Sequence, residues 1–84
     1  MRRYEYIHDS IDVWVQFEKQ KPQIRAFAWK NKLYKITSLN LITKASNGTV
    51  PVHLFSVSNN KGAFKIRLDT DTLSWWLEEI YWED

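Results

Sequence analysis

Residues 11–17 read Ile-Asp-Val-Trp-Val-Gln-Phe. Ile11, Val13, Val15 and Phe17 fall on one parity, with Asp12, Trp14 and Gln16 on the other. That two-residue period is the signature of a strand with one face buried, and the chain goes on in the same manner. Residues 23–30 and 33–43 are rich in aromatic and β-branched side chains and are separated by Asn31-Lys32, which suits a two-residue hairpin because Asn tolerates positive φ. Residues 44–51, containing Asn47-Gly48, read as a longer loop. A strand over 52–58, the hairpin signal Asn59-Asn60-Lys61-Gly62, a strand over 63–68 and a turn at Asp69-Thr70-Asp71-Thr72 follow. Residues 73–82 fit two descriptions. Leu73, Trp76, Leu77 and Ile80 have helical spacing, whereas Trp75, Leu77 and Tyr81 suit a strand, the state that Trp and Tyr favour. We read this segment as a strand, with a helix as the alternative. The expected fold is all-β: five or six short antiparallel strands in a meander, forming an open barrel or rolled sheet.

The chain has 84 residues, which implies a single domain over residues 1–84. A domain of this size buries only about 60–65% of the surface of its unfolded chain, so its large side chains must supply the core. Five Trp, four Tyr and four Phe can do so, each burying roughly 150–250 Å².

Charge is distributed unevenly. No acidic residue lies between Glu18 and Asp69, and that interval holds ten of the twelve basic residues. The two ends hold all ten carboxylates and only Arg2 and Arg3 in return, so the middle carries +10 and the ends −8. A formal net charge of +2 conceals this polarity. Segregated charge can steer a partner of opposite sign. If Phe27, Trp29, Tyr34, Ile36, Phe64 and Ile66 point inward, Lys30, Lys35, Lys65 and Arg67 project from the opposite face, with Lys32 at a hairpin tip nearby. Five such cations suit the phosphates of DNA or RNA, which require charge and donors but little exact geometry. The plain alternatives are a solvated sheet face guarded by Lys, or charge that serves only internal strand pairing.

A second group is aromatic. Trp14 sits on the polar parity of its strand, and Trp76 and Trp82 lie on the outer parity of 73–82 if Trp75 and Leu77 face inward. If the first and last strands are neighbours, Trp14, Trp76 and Trp82 gather on an acidic surface that would suit a protein partner or self-association. Should the end of the chain be helical or bulged, these rings complete the core instead.

Other chemistries lack their residues. Without Cys there is neither a disulfide nor a thiolate metal site. His8 and His53 have no ligand-spaced partner, and Asp69-x-Asp71 lacks the rest of a calcium loop, so no metal and no cofactor are expected. Neither a nucleophile elbow nor a Gly-rich phosphate loop is present, and the chain reads as non-enzymatic. Nothing resembles a signal peptide or a membrane span. The expected compartment is the cytoplasm, where Asn47-Gly48-Thr49 is a turn rather than a glycosylation site.

Pro22, Phe27-x-Trp29, Tyr34-x-Ile36, Phe55, Val57 and Trp75-x-Leu77 occur in an order that resembles an uncharacterised bacterial family of short, Trp-rich β domains. Members of that family read Pro…Phe-x-Trp, a Gly-containing turn, Tyr-x-Val and a distant Trp-x-Leu. The resemblance covers roughly residues 10–84. The chain departs from it in having Asn31-Lys32 for the Gly turn and no Trp in residues 44–49. It implies a β fold and, because some members are associated with proteins resembling Y-family DNA polymerases, a DNA-transaction setting.

Overall fold

The computed structural model describes residues 3–83. These form eight strands: β1 (Arg3–Ser10), β2 (Asp12–Glu18), β3 (Lys21–Trp29), β4 (Lys32–Lys35), β5 (Ser38–Asn47), β6 (Val50–Asn59), β7 (Gly62–Asp69) and β8 (Ser74–Trp82). All pairings are antiparallel. One sheet has the order β1-β8-β7-β6-β5 and the other β2-β3-β4. The fold is all-β as expected, with two open sheets that are not closed into a barrel. No helix among the described residues is long and apolar enough to cross a membrane.

The chain crosses between the sheets twice, each time through a buried or half-buried isoleucine. Ile11 joins β1 to β2, and its N–H donates to the Trp75 carbonyl at 3.2 Å. Ile36 and Thr37 join β4 to β5; their N–H groups donate to the carbonyls of Arg25 (2.9 Å) and Ser58 (3.0 Å), one in each sheet. The stretch expected as one strand over 33–43 is therefore two strands in different sheets. This crossing, together with the unforeseen β1, accounts for eight strands in place of five or six.

Between the sheets lies one core. Phe27 and Tyr34 stack at 5.0 Å from the three-stranded side, and Phe64 meets Phe27 edge-on at 5.1 Å from the other. Val57, Ile66, Leu77 and Ile80 are fully buried around them. The indole N–H of Trp29 donates to Asp9 Oδ2 at 2.8 Å, which satisfies a buried donor. Most of the residues that carry the resemblance lie in the core: Phe27, Trp29, Tyr34, Phe55, Val57 and Leu77 are buried, Ile36 and Trp75 pack against them, and Pro22 is half-buried on β3.

Two turns differ from expectation. The β3–β4 turn is Lys30-Asn31, both at positive φ (51° and 61°), so Lys32 begins β4 opposite Trp29 rather than forming the tip. The expected loop over 44–51 is instead a hairpin, in which β5 and β6 pair as far as Asn47 and Val50 around Gly48-Thr49. Gly48 takes φ of 66° there, a conformation that costs a glycine little. The hairpin at Asn59–Gly62 is as expected: Asn59 Oδ1 accepts from the N–H groups of Lys61 (2.8 Å) and Gly62 (3.2 Å). A Cβ on Gly62 would collide with the carbonyl oxygen of Tyr81, so β8 approaches β7 at a place only glycine allows.

Residues 74–82 form a strand, and a β-bulge explains their helical look. Lys65 faces Glu79 while Ile66 faces Leu77, which leaves Glu78 as an extra residue in β8. A bulge shifts side-chain parity by one. Leu77 and Ile80, three apart, consequently both point into the core. The three-residue step from Leu77 to Ile80 is the imprint of that bulge, whereas Leu73 precedes the strand and is exposed.

Candidate nucleic-acid interface

The five cations expected on one face are divided between the two sheets. Lys65 and Arg67 lie on β7, beside the acidic β8. Lys65 Nζ is 3.3 Å from Glu79. Arg67 is 3.0 Å from Glu78 and 2.9 Å from Asp69, and its guanidinium covers the ring of Trp76 at 5.4 Å. His8 Nδ1 lies 2.8 Å from Glu78, and its ring stacks on Trp76 at 5.0 Å. Beside this network the Tyr4 phenol, which donates to Glu79 at 3.2 Å, is raised above its ordinary range by desolvation and then by that carboxylate. Arg67 is only 16% exposed and Glu78 10% along their side chains, so much of the basic middle's charge on β7 is spent internally.

The Trp cluster is likewise not assembled. Trp14 is on β2 in the three-stranded sheet, whereas Trp76 is on β8 under Arg67 and His8. Trp82 turns inward, packing on Phe64 at 6.3 Å and Tyr34 at 6.5 Å. The Glu78 bulge is the reason: beyond it the parity of β8 inverts, so Trp82 joins the core side and Tyr81 the outside. The neighbours of β8 are β1 and β7, neither of them the strand that bears Trp14.

What the structure does assemble lies on the outer face of the three-stranded sheet. Trp14, Ala26 and Lys35 form one row across β2, β3 and β4. Between Trp14 and Val15 the register with β3 slips, leaving Arg25 as an extra residue. That bulge puts Arg25 and Ala26 on the same side, since Ile24 and Phe27 both point into the core. Small Ala26 leaves room in the centre of the row. The result is a shallow groove of about 630 Å³ lined by Trp14, Arg25, Ala26, Leu33, Lys35 and Thr37, with Ile36 at its base. Trp14 is 51% exposed and Leu33 57%, so a large ring and an aliphatic side chain face water there. Arg25 is steadied by Gln16, whose Oε1 accepts from Nε at 2.9 Å, and lies 3.5 Å from Glu18.

Lys35 also lines a second, smaller cleft of about 230 Å³ with Leu33, Tyr34, Asn59, Asn60 and Lys61. The Lys35 carbonyl accepts from Asn59 Nδ2 at 2.8 Å, which ties β4 to the β6–β7 hairpin and brings Lys61 into range. Neither depression contains a carboxylate in its lining. Lys30 stands at the β3–β4 turn with Nζ 4.8 Å from the Trp29 ring. Lys32 shares the parity of Tyr34 at the same end and is exposed. Arg25 and Lys61 are thus site residues that sequence patterning did not single out. Arg25 was hidden by a bulge; Lys61 sat in a plain turn signal, whose place beside β4 depends on long-range packing. Comparison with family models, with curated proteins and with solved structures returned no match.

Proposed function

We propose that this chain is a non-enzymatic, cytoplasmic accessory domain that binds nucleic acid, DNA or RNA, with little sequence preference. The observation that carries the reading is the position of Lys35 between Trp14 and Arg25 on one side and Lys61 on the other, in grooves without a lining carboxylate. Phosphates would meet Lys35, Lys61 and Arg25, with Lys30 and Lys32 extending the charge at the hairpin end. Trp14 offers an exposed face for a base, and base–aromatic stacking contributes about 1–3 kcal/mol without reading sequence. A stacked, unpaired base favours single strands over duplex. The acid-free middle of the chain supports this reading, as does the setting implied by the resemblance to Trp-rich β domains. Lys65 and Arg67 stand outside it because they lie on the five-stranded sheet, among Asp69, Glu78 and Glu79.

The test is anisotropy of a labelled single-stranded oligonucleotide at roughly 50 and 200 mM salt. About three phosphate contacts give a log–log salt slope near −2, at about −0.7 per contact on single strands. Lys35→Glu should abolish binding and Trp14→Ala should weaken it, while Lys65→Glu leaves it unchanged. Binding that survives Lys35→Glu in a folded variant removes the assignment.

A second reading rests on the same exposed pair, Trp14 and Leu33: a groove with an apolar floor and cationic rim also suits a protein partner or a second copy of the chain. A concentration-dependent sedimentation coefficient that becomes constant in Trp14→Ala would favour it.

A further inference from the structure

At the end of the core remote from the β3–β4 turn, the two sheets diverge around an apolar cavity of about 370 Å³. Its walls are Phe55, Leu68 and Trp75 from the five-stranded sheet and Val15 and Pro22 from the β2–β3 hairpin. Phe55 is buried, and its ring lies 5.5 Å from that of Trp75. Phe17 and Ile42 form the mouth and are exposed, Phe17 at 72%. The volume falls within the range of small-molecule sites, which are typically apolar hollows with few, well-placed polar groups.

The polar groups at this cavity are Lys44 and His53, which face each other directly across the β5–β6 ladder. They are the only ionisable residues in its lining. No described residue forms an ion pair with Lys44; Asp69, the nearest carboxylate by register, is engaged by Arg67. A cation and an imidazole at the rim of an otherwise greasy hollow define a ligand with a charged end and a long apolar end. We propose that this cavity binds a small amphipathic anion, an unbranched acyl chain whose tail lies against Phe55, Leu68 and Trp75 and whose carboxylate meets Lys44 and His53. The site is distinct from the Trp14–Lys35 face and shares no lining residue with it.

An amide-resolved NMR titration of the full chain with decanoate, kept below micelle formation, tests this, with decanol as the uncharged control. The expected result is saturable shifts centred on Val15, Lys44, His53, Phe55 and Trp75. Decanoate should bind about tenfold more tightly than decanol, the order of factor expected of a hydrogen bond to a charged group. Lys44→Ala, at an exposed position, should erase that difference and leave decanol affinity unchanged. Equal affinity for the two ligands, or an unaltered decanoate affinity in Lys44→Ala, would overturn the carboxylate site. Shifts that fail to saturate, or that fall on other exposed apolar residues such as Tyr6 and Leu73, would overturn the cavity as the site.

Discussion

Lys65 and Arg67 sit two residues apart on the same strand and face the same way, yet they differ in what they do. Arg67 is enclosed by Trp76, Glu78 and Asp69, so its charge has left water and depends on its partners. Lys65 meets Glu79 with its side chain 39% exposed, in surroundings where solvent screens most of the attraction. Removing one member of a buried charge set strands the others. Arg67→Ala should accordingly lower the unfolding free energy by about 3 kcal/mol, and Lys65→Ala by less than about 1 kcal/mol, as read from urea midpoints at constant m. Equal effects would show that the Glu78 carboxylate is solvated in solution. The three tryptophans taken together from sequence divide in the same way. Trp14 faces water, Trp76 is roofed by Arg67, and Trp82 belongs to the core.

At the scale of elements, the turns show how much a hairpin tolerates. Lys19-Gln20 joins β2 to β3 with φ of 52° and 66°, and Lys30-Asn31 joins β3 to β4 with both φ values positive. Paired positive φ suits the right-handed twist of the flanking strands, but ordinary side chains pay about 1–2 kcal/mol to adopt it. Replacing Lys19-Gln20 with Asn-Gly should raise stability by roughly 1 kcal/mol, after allowing for glycine's freedom in the unfolded chain. Thermal denaturation checks this, and a lowered midpoint would mean that the Lys19 or Gln20 side chain contributes to packing. Bulges are the other device at this scale. One carries Glu78 into the Arg67 network, and one brings Arg25 onto the face of Trp14. Each breaks a two-residue period: the bulge in β8 shows in the sequence only as an alternative for residues 73–82, and alternation gives no sign of the one at Arg25.

At the scale of the molecule, one core serves both sheets, and the chain passes between them at Ile11 and at Ile36-Thr37. Neither sheet has an apolar interior of its own, which predicts a single cooperative transition. Phe27→Ala on β3 and Phe64→Ala on β7 should each cost about 3–5 kcal/mol, and should shift the near-ultraviolet and far-ultraviolet transitions together. Separate midpoints for the two signals in either variant would show that the sheets unfold independently. The rings are in contact at 5.1 Å, so the double variant should be less destabilised than the sum of the single ones. Charge also acts at this scale. The acidic ends of the chain become β1, β2 and β8; β8 lies beside basic β7, and Glu18 of β2 lies 3.5 Å from Arg25. The polarity is consumed in part at those pairs and persists around Lys35 and Lys61, where no carboxylate lines the grooves.

Alternation, turn residues and aromatic content are local or compositional properties, and they were enough to establish an all-β meander, the Asn59–Gly62 hairpin and most of the core, including Phe27, Tyr34, Phe64 and Ile66. They were also enough to mark the middle of the chain as basic. Which cations remain unpaired, and which tryptophan meets water, depended on strand order, on two sheet crossings and on single-residue bulges. Those are set by long-range pairing and by how the two sheets close over the aromatic rings. No local period encodes them, because each arises where one strand must accommodate another that is distant in sequence.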